Sequence, residues 1–321
     1  MFMKIFVAIA CTGFFIATSA EAQEFPSKHV TLMMPYAAGG PGDTLTRIIG
    51  QGMGKVLGRL FLVENVAGAG GTLGTAKVAA SAPDGHSLLV MHFGHAANTA
   101  LYRNLRYEPI KDFEPIGMIA ESPMAFIARK DFPAGNFNDF VAYVKTNREK
   151  VVHGHAGVGS ASHLCGLLFL NAIEVTVTVV PYKGTTPAVT DLVAGQVQVM
   201  FDVTPTSLPH IKAGKLRPLG VTTTEPLPFL PDVPTIDSFV KGYEAAAWIG
   251  FGVPKGTPPE IIATLNKQTN AAVLDPNIQQ RFADLGVVAV PPNSPEEFAK
   301  FIAENIDKWT KVIKFAGIKP Q

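Results

Sequence analysis

Five imidazoles crowd two short stretches of this sequence. His92 and His95 stand three apart in "VMHFGHAAN", and His153, His155 and His163 fall within "VHGHAGVGSASHLC". Imidazole binds metals and carries protons near neutral pH, so a convergent group could hold zinc or act as a base. His92, His95 and His155 are the members that would form the centre of an exported metal-dependent enzyme. No carboxylate or cysteine is spaced to complete such a ligand set, and Cys165 lies two residues from His163, on another face of the expected helix. Ser160 invites a nucleophile reading, because "GVGSASH" approaches the G-x-S-x-G elbow of hydrolases. Ala161 and Ser162 stand where its final glycine should fall. Ser160 and His163, three apart on a helix, can touch without forming a nucleophile–base pair. No metal and no catalytic residue is therefore expected, and the chain is not expected to be an enzyme.

The glycines point elsewhere. "PYAAGGPGDTLTR" lies between an apolar run and an amphipathic one, the pattern of a strand, a tight turn and a helix start. It lacks the lysine and following Ser/Thr of a nucleotide loop, and the spacing of a dinucleotide turn. What remains is a set of backbone N–H groups at a helix N-terminus, which favours a carboxylate. The same character recurs in "NVAGAGGTLGT", "GHAGVGSASH" and "PYKGTTPAV". Four such loops at the carboxyl ends of strands predict a ligand crevice there. Arg47 falls inside the first helix, so a bound anion would meet mainly amides, hydroxyls and water. Asp43 is expected to complement the helix start. Asp202 ends an apolar strand, where it either braces a loop or accepts from a ligand.

These loops need a scaffold, and the order of segments supplies one. Strand-like runs ("HVTLMMPY", "LFLVENVAG", "HSLLVMHF", "VVHGHAGV", "VTVTVVPYKG", "VQVMFDV", "LRPLGVTT", "AAAWIGFGVP") alternate with helical ones, which predicts an α/β class with mainly parallel sheets. "IGMIAESPMAFIAR" reads as an extended segment broken by Pro123. Asn136 or Asn138 should cap the helix after it, and Ser160 the one after "GHAGVG". "EPLPFLPDVPT" is an irregular connection. Extended stretches near 118–128 and 216–226 would be two chain crossings.

Lys4 and the apolar run "IFVAIACTGFFIATSA" before Ala20-Glu21-Ala22 have the form of a signal peptide, 1–22, cleaved before Gln23. Export to the periplasm would leave Cys165 as the sole cysteine, so no intrachain disulfide framework is expected. The chain carries 27 basic and 26 acidic residues, a net charge of +1, which offers no field for nucleic acid. At 47% hydrophobic residues it can hold itself together by burial.

In the segments "PYAAGGPGDTLTR", "ENVAGAGGTLGTAKVAASAPDGHSLL", "NTALY", "GVGSASHL", "VPYKGTTPAVTDLVAGQVQVMFD", "LPHIKAGKLRPLGVTT", "FLPDVPTI" and "GVPKGTPPEIIATLN", the chain resembles the substrate-binding proteins of tripartite tricarboxylate transporters, the Bug family of extracytoplasmic solute receptors. They run in family order through nearly the whole chain after residue 22. The resemblance implies an α/β, type II periplasmic binding protein-like fold: two α/β lobes joined by two crossing strands, with a ligand cleft between. Lobe 1 would comprise 23–124 and 224–321, and lobe 2 would comprise 125–223. It implies a small carboxylate ligand (a di- or tricarboxylate, an aromatic acid or an amino acid), a membrane permease as partner, no cofactor, and action as a monomer. A receptor that reports its ligand to a signalling partner is the other reading.

By the same resemblance, Tyr36, Ala37, Ala38 and Gly39 face the ligand carboxylate, partly through water. Ser160 and Ala161 close from the other lobe, and Asp202 matches an aspartate at the cleft. His95 matches a position where the family often carries histidine. His92 and His155 stand where small polar residues are commoner, so they are expected to set selectivity, toward a larger or aromatic acid.

Overall fold

The computed structural model describes residues 25–315 and 317–320, so the expected signal peptide lies outside the described residues. The first strand, β1 (Val30–Met34), is almost wholly buried, and the chain turns at once into α1 (Pro41–Leu57). Proline occupies the first helical position, where its missing N–H costs nothing. β2 (Phe61–Asn65), α2 (Thr72–Ala79) and β3 (Ser87–His92) follow, with β1 parallel to both β2 and β3.

Next comes α3 (Phe93–Leu101), which the sequence pattern does not announce. No turn separates it from β3. His92 itself caps the helix, its Nδ1 accepting the Gly94 N–H at 2.9 Å. Histidine is not among the usual capping residues, so the boundary carries no ordinary signal.

β4 (Phe113–Arg129) is one continuous strand, not a segment broken at Pro123. From Phe113 to Pro123 it pairs with β9, and from Met124 onward with β7 and β8. Pro123 thus stands where the partners change, a place that tolerates a missing ladder donor. The chain continues through α4 (Phe137–Thr146), β5 (Val152–His155), α5 (Ala161–Ala172), β6 (Thr178–Pro181), α6 (Thr185–Val193), β7 (Val199–Val203), α7 (Thr204–Lys212) and β8 (Leu216–Val221). Asn136 caps α4 by accepting from the Asp139 N–H, and Ser160 caps α5 by accepting from the His163 N–H.

After the proline-rich connection, β9 (Ala246–Pro254), α8 (Pro259–Leu274), α9 (Pro276–Asp284), the two-residue β10 (Val288–Ala289) and α10 (Pro295–Phe315) complete the fold. The strand order is β2-β1-β3-β9-β4-β7-β5-β6, with β8 and β10 also on β4. The expectation of mainly parallel sheets is corrected. β5 is parallel to β6 and β7, but every pairing of β4 and the β3–β9 pair are antiparallel. The cause is the crossing: β4 carries the chain from one sheet into the other, and β9 returns beside it in the opposite sense. Thr222 fastens the return passage. Its N–H donates to Met124 O at 2.9 Å, its Oγ1 accepts from the Met124 N–H at 3.1 Å, and its carbonyl accepts from the Ala245 N–H at 3.1 Å.

Each sheet is covered on both faces. α1, α8 and α9 seal one face of the first with Leu45, Ile49, Met53, Leu265 and Phe282. The other face is built around Phe93, Leu101, Phe298 and Trp309, and runs continuously into the second lobe through Phe126, Phe140, Phe169 and Phe201. α6 closes the far side with Val189 and Leu192. Among the described residues, no helix is long and apolar enough to cross a membrane.

Candidate functional site

The first loop is held by one carboxylate. Asp43 is buried, yet its Oδ2 accepts from the Gly39 N–H at 2.9 Å and from Arg47 Nε at 3.0 Å. Its Oδ1 accepts from Arg47 Nη2 and Asn65 Nδ2, both at 3.0 Å. Burial would raise the Asp43 pKa. The hydrogen bonds from Arg47, Gly39 and Asn65 outweigh it and leave the group below the usual carboxylate range. Asn65 Nδ2 also donates to the Tyr36 carbonyl at 3.0 Å, so β2 fixes the turn that leaves β1. The Gly39 amide is thus spent inside the loop. Ala37 and Ala38 are exposed, and their N–H groups have no hydrogen-bond partner among the described residues.

Tyr36 packs edge-on against His92, ring centroids 4.6 Å apart. With Nδ1 taken by Gly94, a neutral His92 carries its proton on Nε2, which is buried without a partner. Burial, aided by the nearby His95, pushes its pKa down to about 3. Gly71 presses against this nitrogen. At φ +91° it is in glycine's own region, and a Cβ there would sit 3.1 Å from His92 Nε2 and 3.3 Å from Pro35 Cβ. The second glycine-rich loop is therefore the wall behind Tyr36 and His92; its Gly70 carbonyl takes the Asn98 amide at 3.0 Å.

His95 is elsewhere. It is fully buried, its Nε2 lies 3.0 Å from the Pro109 carbonyl, and its ring stacks on Tyr107 and meets Phe113 edge-on. It is a core histidine, three residues along α3 and facing inward, where the sequence reading had it at the ligand. Asp202 sits at the end of β7 opposite Ala125, 1% exposed, with Oδ2 unpartnered. Among the described residues its side chain has no partner beyond the adjacent Val203 N–H. Burial holds its pKa well above the usual carboxylate range, offset only in part by the Val203 N–H.

In the second lobe, β5 puts His153 and His155 on one face and α5 lays His163 over them. The rings of His155 and His163 stack at 4.2 Å and 27°. Two glycine amides fix them: Gly157 N–H donates to His155 Nδ1 and Gly159 N–H to His163 Nδ1, each at 3.2 Å. Ser160 Oγ is engaged as the helix cap, with Ala161 half-buried beside it. The loop reaches the other lobe, since a Cβ at Gly159 would lie 2.4 Å from Leu101 Cδ1 of α3.

The family model for the tripartite tricarboxylate transporter family receptor matches residues 45–318. The chain belongs to this family. A UPF0065 protein of Agrobacterium vitis is 44% identical over 317 residues, 97% of this chain and 91% of the relative. Among solved structures, MatC from Rhodopseudomonas palustris with bound malate is 39% identical with a TM-score of 0.82, covering 90% of this chain and all of that one. The R. palustris protein Rpa4515 with adipate is 33% identical with a TM-score of 0.86, covering 93% of this chain and all of that one.

Among the described residues, no three His, Cys, Asp or Glu side chains stand close enough to hold an ion. His92 and His155 spend Nδ1 on backbone amides, and His95 is committed to Pro109. His163, one of the five imidazoles named from the sequence, is not among the residues expected at the ligand, yet it stacks on His155. Its spacing from Ser160 was visible, but the stacking on His155 depends on how the 156–160 loop turns back.

Proposed function

We propose that this receptor captures a small carboxylate between its two lobes in the periplasm and presents it to a membrane permease. One observation carries this reading. Among the described residues, unspent donors stand in both lobes: the Ala37 and Ala38 amides on one loop, and Nε2 of His155 and His163 on the segment whose Gly159 meets Leu101. Malate and adipate in the related structures are acids of the size and chemistry such donors would hold. The change of strand partners between Pro123 and Met124, with the return at Thr222, supports a hinge near the boundaries 124/125 and 223/224. Ligand that touches both loops would favour the closed arrangement, and the permease would read that form. Residues 1–22 would serve as the export signal.

Thermal melts with malate, adipate and aromatic acids test this, using wild type and Ala38→Trp. An acid that binds the folded state alone raises the melting temperature. Wild type should shift and the variant should not, with equal stability in the absence of acid. Equal shifts would make the Tyr36–Gly39 turn scaffolding only, and no shift with any acid would remove the receptor reading.

A further inference from the structure

We propose that His155 and His163 act together as a paired donor that reads a second carboxylate on the ligand, making His163 a specificity-determining residue. The inference rests on the receptor reading and adds the class of acid preferred. Three observations lead to it.

The first is tautomer. Glycine N–H groups donate to Nδ1 of both rings, so each neutral imidazole must carry its proton on Nε2. The second is alignment. The rings stack at 4.2 Å and 27°, and both Nδ1 atoms accept from the same short loop, which places both Nε2–H groups on the side away from it. A carboxylate has two acceptor oxygens to meet two such donors. The third is access. Both nitrogens of neighbouring His153 are sealed and unpartnered, whereas among the described residues Nε2 of His155 and of His163 has no hydrogen-bond partner and keeps a small solvent contact, the residues being 2% and 8% exposed. The segment that carries them abuts Leu101 across the lobe junction.

Burial keeps both rings neutral, His163 being pushed down to about 3, so the pair offers dipoles and not a cation. A neutral pair fixed by backbone amides is oriented before the ligand arrives. With one carboxylate on the Ala37–Ala38 amides, an acid bearing a second carboxylate can satisfy both loops at once. A monocarboxylate of the same length leaves the imidazole donors unpaired, which is the kind of loss that discriminates strongly.

Calorimetry with length-matched pairs tests it: succinate against butyrate, and adipate against hexanoate. Wild type should favour the two-carboxylate member of at least one pair by tenfold or more. His163→Phe, which keeps the stacked ring and removes the donor, should shrink that preference about tenfold, and His163→Gln should restore part of it. As a measurement on the unaltered protein, 15N spectra of its histidines should show Nε2 of both residues moving as the favoured acid is added. A folded His163→Phe with undiminished preference, or histidine resonances that stay still while acid binds, overturns the proposal and leaves the receptor reading intact. Failure of every acid to bind wild type overturns both.

Discussion

Gly159 of the second lobe lies against Leu101 of the first so closely that a Cβ would stand 2.4 Å from Leu101 Cδ1. Its φ of +79° also belongs to glycine. Gly159→Ala meets both restraints: a left-handed backbone that costs an L-residue about 1–2 kcal/mol, and a methyl group driven into α3. The contact joins the two lobes, so the proposed closure would carry it. The variant should bind its acid on the order of tenfold more weakly by calorimetry, and adding Leu101→Ala should recover part of the loss. Unchanged affinity in the single variant would show that the lobes close without this contact.

Asp43→Ala removes the acceptor shared by Gly39, Arg47 and Asn65. Arg47 is about half exposed, so the ion pair adds little. The loss is that of buried hydrogen bonds, about 1–3 kcal/mol in a urea titration, with weaker ligand binding because the Ala37–Ala38 turn is released. The folded-state pKa is lowered, so this stabilisation is present above the unfolded value of 3.8 and disappears as pH falls below it. Wild type and variant should therefore draw together in stability as pH falls below 3.8, and a gap that stays constant there would assign Asp43 another role.

The buried imidazoles work in a higher window. His92, His153 and His163 are pushed down to about 3 and His95 to about 4, each chiefly by burial. Unfolded histidine takes up its proton near pH 6.5 and these folded ones do not. Stability is full above 6.5 and falls as pH drops toward the folded values, by about 1.4 kcal/mol per pH unit for each ring. Asp202 and Glu121, whose pKa values burial raises, oppose this trend. His153→Leu isolates one ring: its stability should fall less steeply between pH 6.5 and 4.5, by about 1.4 kcal/mol per unit. Identical slopes would mean that His153 is protonated in the folded state.

Loop chemistry was the most legible part of this protein. Glycines, the Ser160 and Asn136 caps and the dipole-facing Asp43 could be read because each obeys a local rule, and local rules survive tertiary context. α3 was hidden because a histidine caps it directly from a strand. Pro123 misled because its tolerance depends on which strands flank it, which is a long-range fact. The antiparallel centre follows from the path of the chain, which residue patterning does not encode. At the site, His95 and His92 share a helix start, yet one turns to Pro109 and the other to Tyr36. Sequence spacing gives a side chain's neighbourhood on the helix and not the direction its ring takes in the packed lobe.

In the proposed cycle one acid bridges the two loops. Backbone amide resonances report it most directly, with 15N-labelled protein titrated with the acid that gives the largest thermal shift. Ala37 and Ala38 should move together with Gly157–Ala161 at a single binding constant. An acid that binds while moving only one of these loops, or neither, would contradict it.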